Sequence, residues 1–235
     1  MAVDDAAGHT DSAEGNVDYD GNVVVGGPAQ VRDVAGLVIA KIAVGPMNNN
    51  AYLLRCVETG EGLLIDAAAE ADRLADFVRL RGSGIQQVLT THRHRDHWSA
   101  LSEVVSLTGS ATLAGAADAD QLPVPIGRRL EHEDVVKVGR AQLQIIALRG
   151  HTPGAIAVRY DEPGARAHLF TGDSLFPGGV GRTGSPADFT SLLDDVEQRV
   201  FRELPDDTWI YPGHGADTTL GAERPQLPEW RARGW

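Results

Sequence analysis

Three histidines and an aspartate fall within the segment Thr91-His92-Arg93-His94-Arg95-Asp96-His97. Imidazole and carboxylate donors at this density are the side chains that hold zinc, iron or manganese. Their spacing divides them. His92 and His94 are two residues apart, so in an extended segment they point to the same side and can reach one metal. Asp96 and His97 are adjacent, and the residues beyond them (Trp98, Ala100, Leu101, Val104, Val105) have helical spacing. The chain must turn at Asp96, which lets Asp96 and His97 face a second point. One loop can thus supply part of the ligand set of two neighbouring metals. A solvated loop with scattered histidines is the competing reading, and multi-histidine spacing counts against it.

Two metals need further donors. His151 lies in Arg149-Gly150-His151-Thr152-Pro153-Gly154, after the apolar run Leu143 to Leu148. His214 lies in Tyr211-Pro212-Gly213-His214-Gly215, after Trp209 and Ile210. Asp173 follows the strand-like His168-Leu169-Phe170-Thr171, in Gly172-Asp173-Ser174. Each sits on a Gly- or Pro-containing turn at a strand end, where backbones approach closely. Four such ends, the His92 loop after Ile85 to Thr90 included, read as one convergent site. His9, His132 and His168 lack a paired ligand and read as surface or structural histidines.

The ordered set T-H-x-H-x-D-H, G-H-T-P-G, G-D-S and P-G-H-G resembles the metallo-β-lactamase-fold hydrolases from about Leu37 to His214. Within them it is most similar to the glyoxalase II-like thioesterases, through Gly172-Asp173-Ser174-Leu175-Phe176 and Gly181-Arg182-Thr183-Gly184. The resemblance implies that His92, His94 and His151 bind a first metal, that Asp96, His97 and His214 bind a second, and that Asp173 bridges both. It implies two zinc ions, with iron or manganese as alternatives. It further implies a water activated between them, which Asp96 helps to orient, and hydrolysis of a small acyl-thioester. Iron-dependent persulfide dioxygenases and lactonases share the fold and are the alternative activities. Glutathione-specific relatives carry a helical domain after the last histidine, whereas only Gly215 to Trp235 follow here. Another thiol carrier, such as a mycothiol-type thiol, is therefore considered. Arg182 is a candidate contact for a substrate carboxylate. Trp230 and Trp235 read as a C-terminal clasp, and Trp98 as a packing residue.

The elements that would position these residues alternate. Leu37 to Val44, Ala51 to Val57 and Gly62 to Asp66 read as strands, with Asn48-Asn49-Asn50 as the first turn. Ala68 to Arg81 reads as an amphipathic helix ended by Gly82-Ser83-Gly84. Trp98 to Leu107 reads as a second helix, and a third starts at Ser185-Pro186 and runs to about Glu203. Short strands at Ala111 to Ala114, Val135 to Val138, Leu143 to Leu148 and Ala155 to Tyr160 complete the pattern. An α/β fold follows, and by resemblance a four-layer αββα sandwich.

The chain has 235 residues and a net charge of −12, which argues against a nucleic-acid partner. Residues 1–22, rich in Gly, Ala and Asp, read as a disordered acidic tail, and 23–235 as a single domain. Cys56, the lone cysteine, reads as a buried thiol in a reducing compartment. No apolar run is long enough for a membrane span, and the N-terminus lacks the basic and apolar parts of a signal peptide, so a cytoplasmic location is expected. The acyl group, thiol carrier and oligomeric state are left open.

Overall fold

The structure, a computed structural model, describes residues 19–234. The first sheet is a meander that becomes a set of crossovers. Strands β1 (Gln30–Val34), β2 (Leu37–Val44), β3 (Asn49–Cys56) and β4 (Gly62–Ile65) run antiparallel. Then β5 (Gln87–Thr90), β6 (Ala111–Gly115) and β7 (Arg128–Leu130) add in parallel, giving the order β1-β2-β3-β4-β5-β6-β7. Helix α1 (Ala71–Phe77) connects β4 to β5, and α2 (Leu101–Thr108) connects β5 to β6.

The second sheet repeats the scheme. Strands β8 (Val135–Val138), β9 (Ala141–Ala147), β10 (Ile156–Asp161) and β11 (Ala167–Gly172) are antiparallel. A small hairpin, β12 (Leu175–Phe176) and β13 (Gly179–Val180), precedes α3 (Pro186–Val196), which ends in a wider turn at Glu197–Phe201. Strand β14 (Trp209–Pro212) then pairs parallel with β11, and β15 (Thr218–Thr219) closes the edge. Helices α4 (Leu220–Glu223) and α5 (Leu227–Arg233) follow.

Three apolar layers hold this together. Between the sheets, Leu37, Ile39, Tyr52 and Leu54 meet Leu143, Ile145, Val158 and Phe170. The alternate residues Ile42, Leu53 and Leu64 face outward onto Leu74 and Phe77 of α1 and Leu101 and Val104 of α2. On the far side Ile146, Leu169 and Ile210 pack under Leu192, Leu193 and Val196 of α3 and Trp230 of α5. With both faces of each sheet covered, β2 and β3 are buried at every position, as a sheet between helices and a second sheet requires. The layers are therefore helix, sheet, sheet, helix, as expected.

Several boundaries differ from expectation for identifiable reasons. The helix expected over 68–81 is only Ala71–Phe77, because Asp66 and Glu70 take left-handed backbone angles and Arg55 captures the carbonyls beyond its end. The Arg55 guanidinium is buried and donates to Val78 O, Leu80 O, Gly60 O and Gly84 O. The second helix starts at Leu101 rather than Trp98, since the Trp98 indole N–H turns back to Arg93 O (2.8 Å). The first hairpin turns at Gly45 to Asn48, leaving Asn49 and Asn50 buried in β3. Strand β1 precedes the first one expected.

Of the tail expected at 1–22, residues 1–18 lie outside the described residues, as do His9 and Trp235. The fold itself reaches back before residue 23. The Tyr19 ring packs edge-on to Trp209 and Tyr211, its hydroxyl donates to Asp217 Oδ2 (2.7 Å), and Gly21 O accepts from the buried Lys41 ammonium (2.7 Å). Among the described residues no helix is long and apolar enough to cross a membrane.

Candidate metal centre

Strands β4, β5 and β6 run parallel in one sheet, and β9, β11 and β14 share a direction in the other. Their C-terminal ends meet at one edge, where open α/β sheets place their loops for chemistry. The His92–His97 loop leaves β5, the His151 turn follows β9, Asp173 follows β11 and His214 follows β14. All seven residues expected to act as ligands are brought together.

They form two groups that share a carboxylate. His92, His94 and His151 offer nitrogens within 4.8 Å of one another, and so do the donors of Asp96, His97 and His214. His151 Nε2 lies 3.2 Å from His92 Nε2 and 2.8 Å from His94 Nδ1. His97 Nε2 lies 3.2 Å from His214 Nε2. Asp173 stands between the groups, with Oδ2 3.6 Å from His151 Nε2 and 3.5 Å from His214 Nε2, and Oδ1 3.3 Å from His97 Nε2.

The backbone decides which nitrogen of each ring faces inward. His151 Nδ1 donates to Arg182 O (2.6 Å) and His214 Nδ1 to Met47 O (3.0 Å). A carbonyl only accepts, so each neutral ring keeps its Nε2 lone pair aimed into the cluster. His97 Nδ1 is held by Asp66 Oδ2 (2.8 Å), and His92 Nδ1 by Thr91 Oγ1 (3.1 Å). Tethering one ring nitrogen and freeing the other is how metal-binding histidines are oriented. Facing lone pairs at about 3 Å repel unless a proton or cation lies between them. Asp173 Oδ1 is also buried without a hydrogen bond. The donor set fits a pair of divalent cations.

The carboxylates dominate the electrostatics of the cluster. Burial would lower the His97 pKa, but Asp66 and Asp173 outweigh it and raise it to about 10. Burial would raise Asp173, yet the adjoining His214 and His97 rings hold its carboxyl far below the usual range. Asp96 is lowered too, its burial being outweighed by the hydrogen bond from Asn49 Nδ2 (2.9 Å) and by the nearby His97. Burial pushes His92 and His151 down, keeping both neutral and able to donate lone pairs.

Two buried acids support the loops, and neither has a sequence motif around it. Asp66, just past β4, accepts from the Thr91 N–H (2.7 Å) and hydroxyl (2.8 Å) as well as holding His97. Asp118, past β6 and fully buried, accepts from the Arg93 N–H (3.0 Å), the Gly154 N–H (2.9 Å) and the Thr152 hydroxyl. It therefore joins the His92–His94 loop to the His151 turn. Arg149 is clamped by Asp195 of α3 through Nε (2.9 Å) and Nη2 (2.8 Å).

The remaining expectations sort plainly. Arg182 is exposed and lines a cavity of about 510 Å³ beside His94 and His151, together with Arg93 and Asp188. His168 is buried between Tyr211 Oη (2.8 Å) and Glu162 Oε2 (3.2 Å), and His132 is exposed, so neither joins the cluster. Trp98 packs against the layer under α2, and Trp230 packs on Phe201. Cys56 is buried.

Residues 44–214 match the model of the metallo-beta-lactamase superfamily. The chain belongs to that superfamily. A relative from Polaromonas sp. strain JS666, named hydroxyacylglutathione hydrolase, is 35% identical over 181 residues, 76% of this chain and 66% of that protein. The chain thus spans just under two thirds of that relative's length. Among solved metallo-beta-lactamase-fold structures, ETHE1 from Myxococcus xanthus superposes with a TM-score of 0.70 at 27% identity, covering 83% of this chain and 84% of that one. TTHA1623 in a di-iron-bound form superposes with a TM-score of 0.65 at 32% identity, covering 78% of this chain and 96% of that one.

Proposed function

We propose that the protein is a dinuclear metal-dependent hydrolase of small acyl-thioesters. The observation that carries this reading is the position of Asp173, whose single carboxylate reaches His151 on one side and His97 and His214 on the other. His92, His94 and His151 would hold one cation, Asp96, His97 and His214 the other, with Asp173 between them. When bound, such cations supply Lewis acidity toward a carbonyl oxygen and bring the pKa of water near neutrality. Zinc is the expected metal, and the di-iron form of TTHA1623 keeps iron as the alternative. The relatives named hydroxyacylglutathione hydrolase support a thioester as substrate.

The protein's own groups supply orientation and proton handling. Asp96 is held by Asn49 Nδ2 and kept ionised, so its carboxylate can accept a proton or fix the direction of an attacking water. Asp66 and the carbonyls of Met47 and Arg182 fix the imidazoles before any ligand arrives, which lowers the reorganisation that catalysis demands. Arg182 lines the adjoining cavity, and on this reading it would meet a substrate carboxylate. A mononuclear iron oxygenase, the competing reading, leaves the convergence of Asp96, His97 and His214 without a purpose.

The test pairs metal content with turnover. Purified protein should hold two metals per chain by mass spectrometry and hydrolyse members of an acyl-thioester panel, and a chelator should abolish this. Asp173→Asn should lower metal content. One iron per chain with oxygen uptake on a persulfide would refute the reading.

A further inference from the structure

Lysine is scarce in this chain. Only Lys41 and Lys137 stand among its 21 Lys and Arg residues, and Lys41 is fully buried. It lies on β2 in the row that Leu37 and Ile39 begin, on the face turned to the second sheet. An apolar side chain would serve the sandwich at less cost, since taking an ammonium out of water is expensive even when it is paired. The charge at this position calls for a role beyond packing.

The three N–H donors of Lys41 meet three acceptors: Gly21 O (2.7 Å), Gly215 O (2.8 Å) and Asp217 Oδ1 (2.6 Å). Asp217 is satisfied in turn. Its other oxygen accepts from the Tyr19 hydroxyl (2.7 Å) and the Trp209 indole N–H (2.8 Å), and its side chain is 1% exposed. Arg32 lies over the Tyr19 and Trp209 rings, 4.3 and 4.0 Å from their centroids. Gly21 packs so closely that an added Cβ would stand 2.7 Å from Asp217 Cβ. The segment from Tyr19 to Gly21 thus seals the ion pair from water.

Two of the three acceptors lie just past His214. Upstream of His214 the backbone is held by the sheets, with the Gly213 N–H donating to Gly172 O (2.8 Å) and the Asn50 N–H to Gly213 O (2.7 Å). Downstream the chain is a loop, with Ala216 exposed and only the two-residue β15 beyond it. Gly215 O, one residue past His214, accepts from both Lys41 and Asn50 Nδ2 (2.9 Å). The imidazole itself is tied through Nδ1 to Met47 O (3.0 Å), in the turn that follows β2. One strand and its turn therefore grip both the His214 ring and the backbone that carries it. If that backbone is loosened, the ring pivots about Met47 and carries Nε2 away from Asp96 (3.3 Å) and Asp173 (3.5 Å).

We propose that Lys41, acting through Gly215 and Asp217, is a positioning residue for His214 and so for the cation of the second group. This rests on the two-cation reading above. Lys41 and Asp217 offer the cation no donor; they fix where the His214 lone pair points. The first group takes His92, His94 and His151 from other loops and does not depend on them. Arginine cannot replace Lys41, because a planar fork does not serve three acceptors set around one nitrogen.

The test is a double-mutant cycle read as metal affinity. Metal-free wild type, Lys41→Met, Lys41→Arg and Tyr19→Phe are titrated with zinc in competition with a chromophoric chelator, alone and in His94→Ala and His214→Ala backgrounds. In the His94→Ala background, which keeps the second group, both Lys41 variants should bind zinc about tenfold more weakly, the low end of the penalty for losing a group that orients a ligand. Tyr19→Phe keeps the ammonium, folds more readily and should weaken binding about two- to fivefold, as for one lost hydrogen bond to a carboxylate. In the His214→Ala background none of the three should change the affinity of the remaining cation, because the residue they position is gone. An equal loss in both backgrounds would make Lys41 a general support of the fold and overturn the proposal, as would wild-type affinity in all three variants. A wild type that binds a single cation overturns the two-cation reading. The positioning role then stands if the Lys41 variants weaken that cation only while His214 is present, and falls if they do not.

Discussion

Removing the Asp118 carboxylate tests whether the two loops of the first cluster depend on one buried anchor. The side chain is fully buried and accepts three hydrogen bonds, from the Arg93 and Gly154 N–H groups and the Thr152 hydroxyl. Bonds to a charged acceptor contribute about 1.5–3 kcal/mol each. The half-buried Arg93 N–H regains water in the variant, and losing a buried charge relieves some desolvation. The net cost of Asp118→Ala is therefore about 3–5 kcal/mol, against a total stability of roughly 5–15 kcal/mol for a domain. Urea unfolding of the metal-free protein should show a lower midpoint at an unchanged slope, which separates this loss from any contribution of bound metal. Asp118→Asn should cost nearly as much, since an amide turns a donor toward groups that need an acceptor. Both variants should bind the first metal about 10- to 100-fold more weakly in competition with a chromophoric chelator, the usual penalty for losing a group that orients the ligands. Stability within about 1 kcal/mol of wild type, or an intact metal affinity in Asp118→Asn, would refute the reasoning.

Other perturbations probe the remaining supports. Lys41→Met leaves Asp217 buried without the ammonium 2.6 Å away and frees Gly21 O and Gly215 O, so thermal melts should report a loss of about 3–5 kcal/mol. Gly213→Ala places a Cβ 2.1 Å from Asp173 Oδ1 and 2.7 Å from His97 Cε1, and metal analysis should find fewer cations per chain than in wild type. Asp195→Asn probes acid stability. Burial would raise the Asp195 pKa, but its hydrogen bonds from Arg149 outweigh this and hold it below the usual carboxylate range. A carboxylate with a depressed folded-state pKa stabilises fully above its unfolded value and loses that contribution as pH falls through the folded one. The stability gap between wild type and Asp195→Asn should therefore be constant at neutral pH and close in acid; a gap that widens in acid would contradict the assignment.

The convergence of the seven residues was legible because histidine and aspartate at strand ends are sparse, chemically distinctive signals. The layers were legible because a strand covered on both faces reads as an unbroken apolar run, as in Leu37 to Val44. What escaped was long-range. Nothing near Asp66 or Asp118 marks either as an anchor, because their partners lie 25 or more positions away and meet them only in the fold. The early end of α1 was hidden for the same reason, since Arg55 lies on a strand and caps the helix through space. Strand β1 and the packing of Tyr19 were missed because the surrounding residues are polar and glycine-rich, and their order comes from Lys41, Trp209 and Asp217.

The seam between the sheets has a consequence for tuning. His92, His94, Asp96 and His97 ride on the first sheet, while His151, Asp173 and His214 ride on the second. At the shared edge Asn50 donates its backbone N–H to Gly213 O (2.7 Å) and its amide to Pro212 O (2.8 Å) and Gly215 O (2.9 Å), and Tyr52 Oη donates to Pro212 O. These four hydrogen bonds, with the apolar layer behind them, set how far apart the two groups of donors stand. A substitution at Asn50 or Tyr52, neither of which offers a donor to the cluster, would therefore shift one group of candidate ligands against the other while leaving each of them in place.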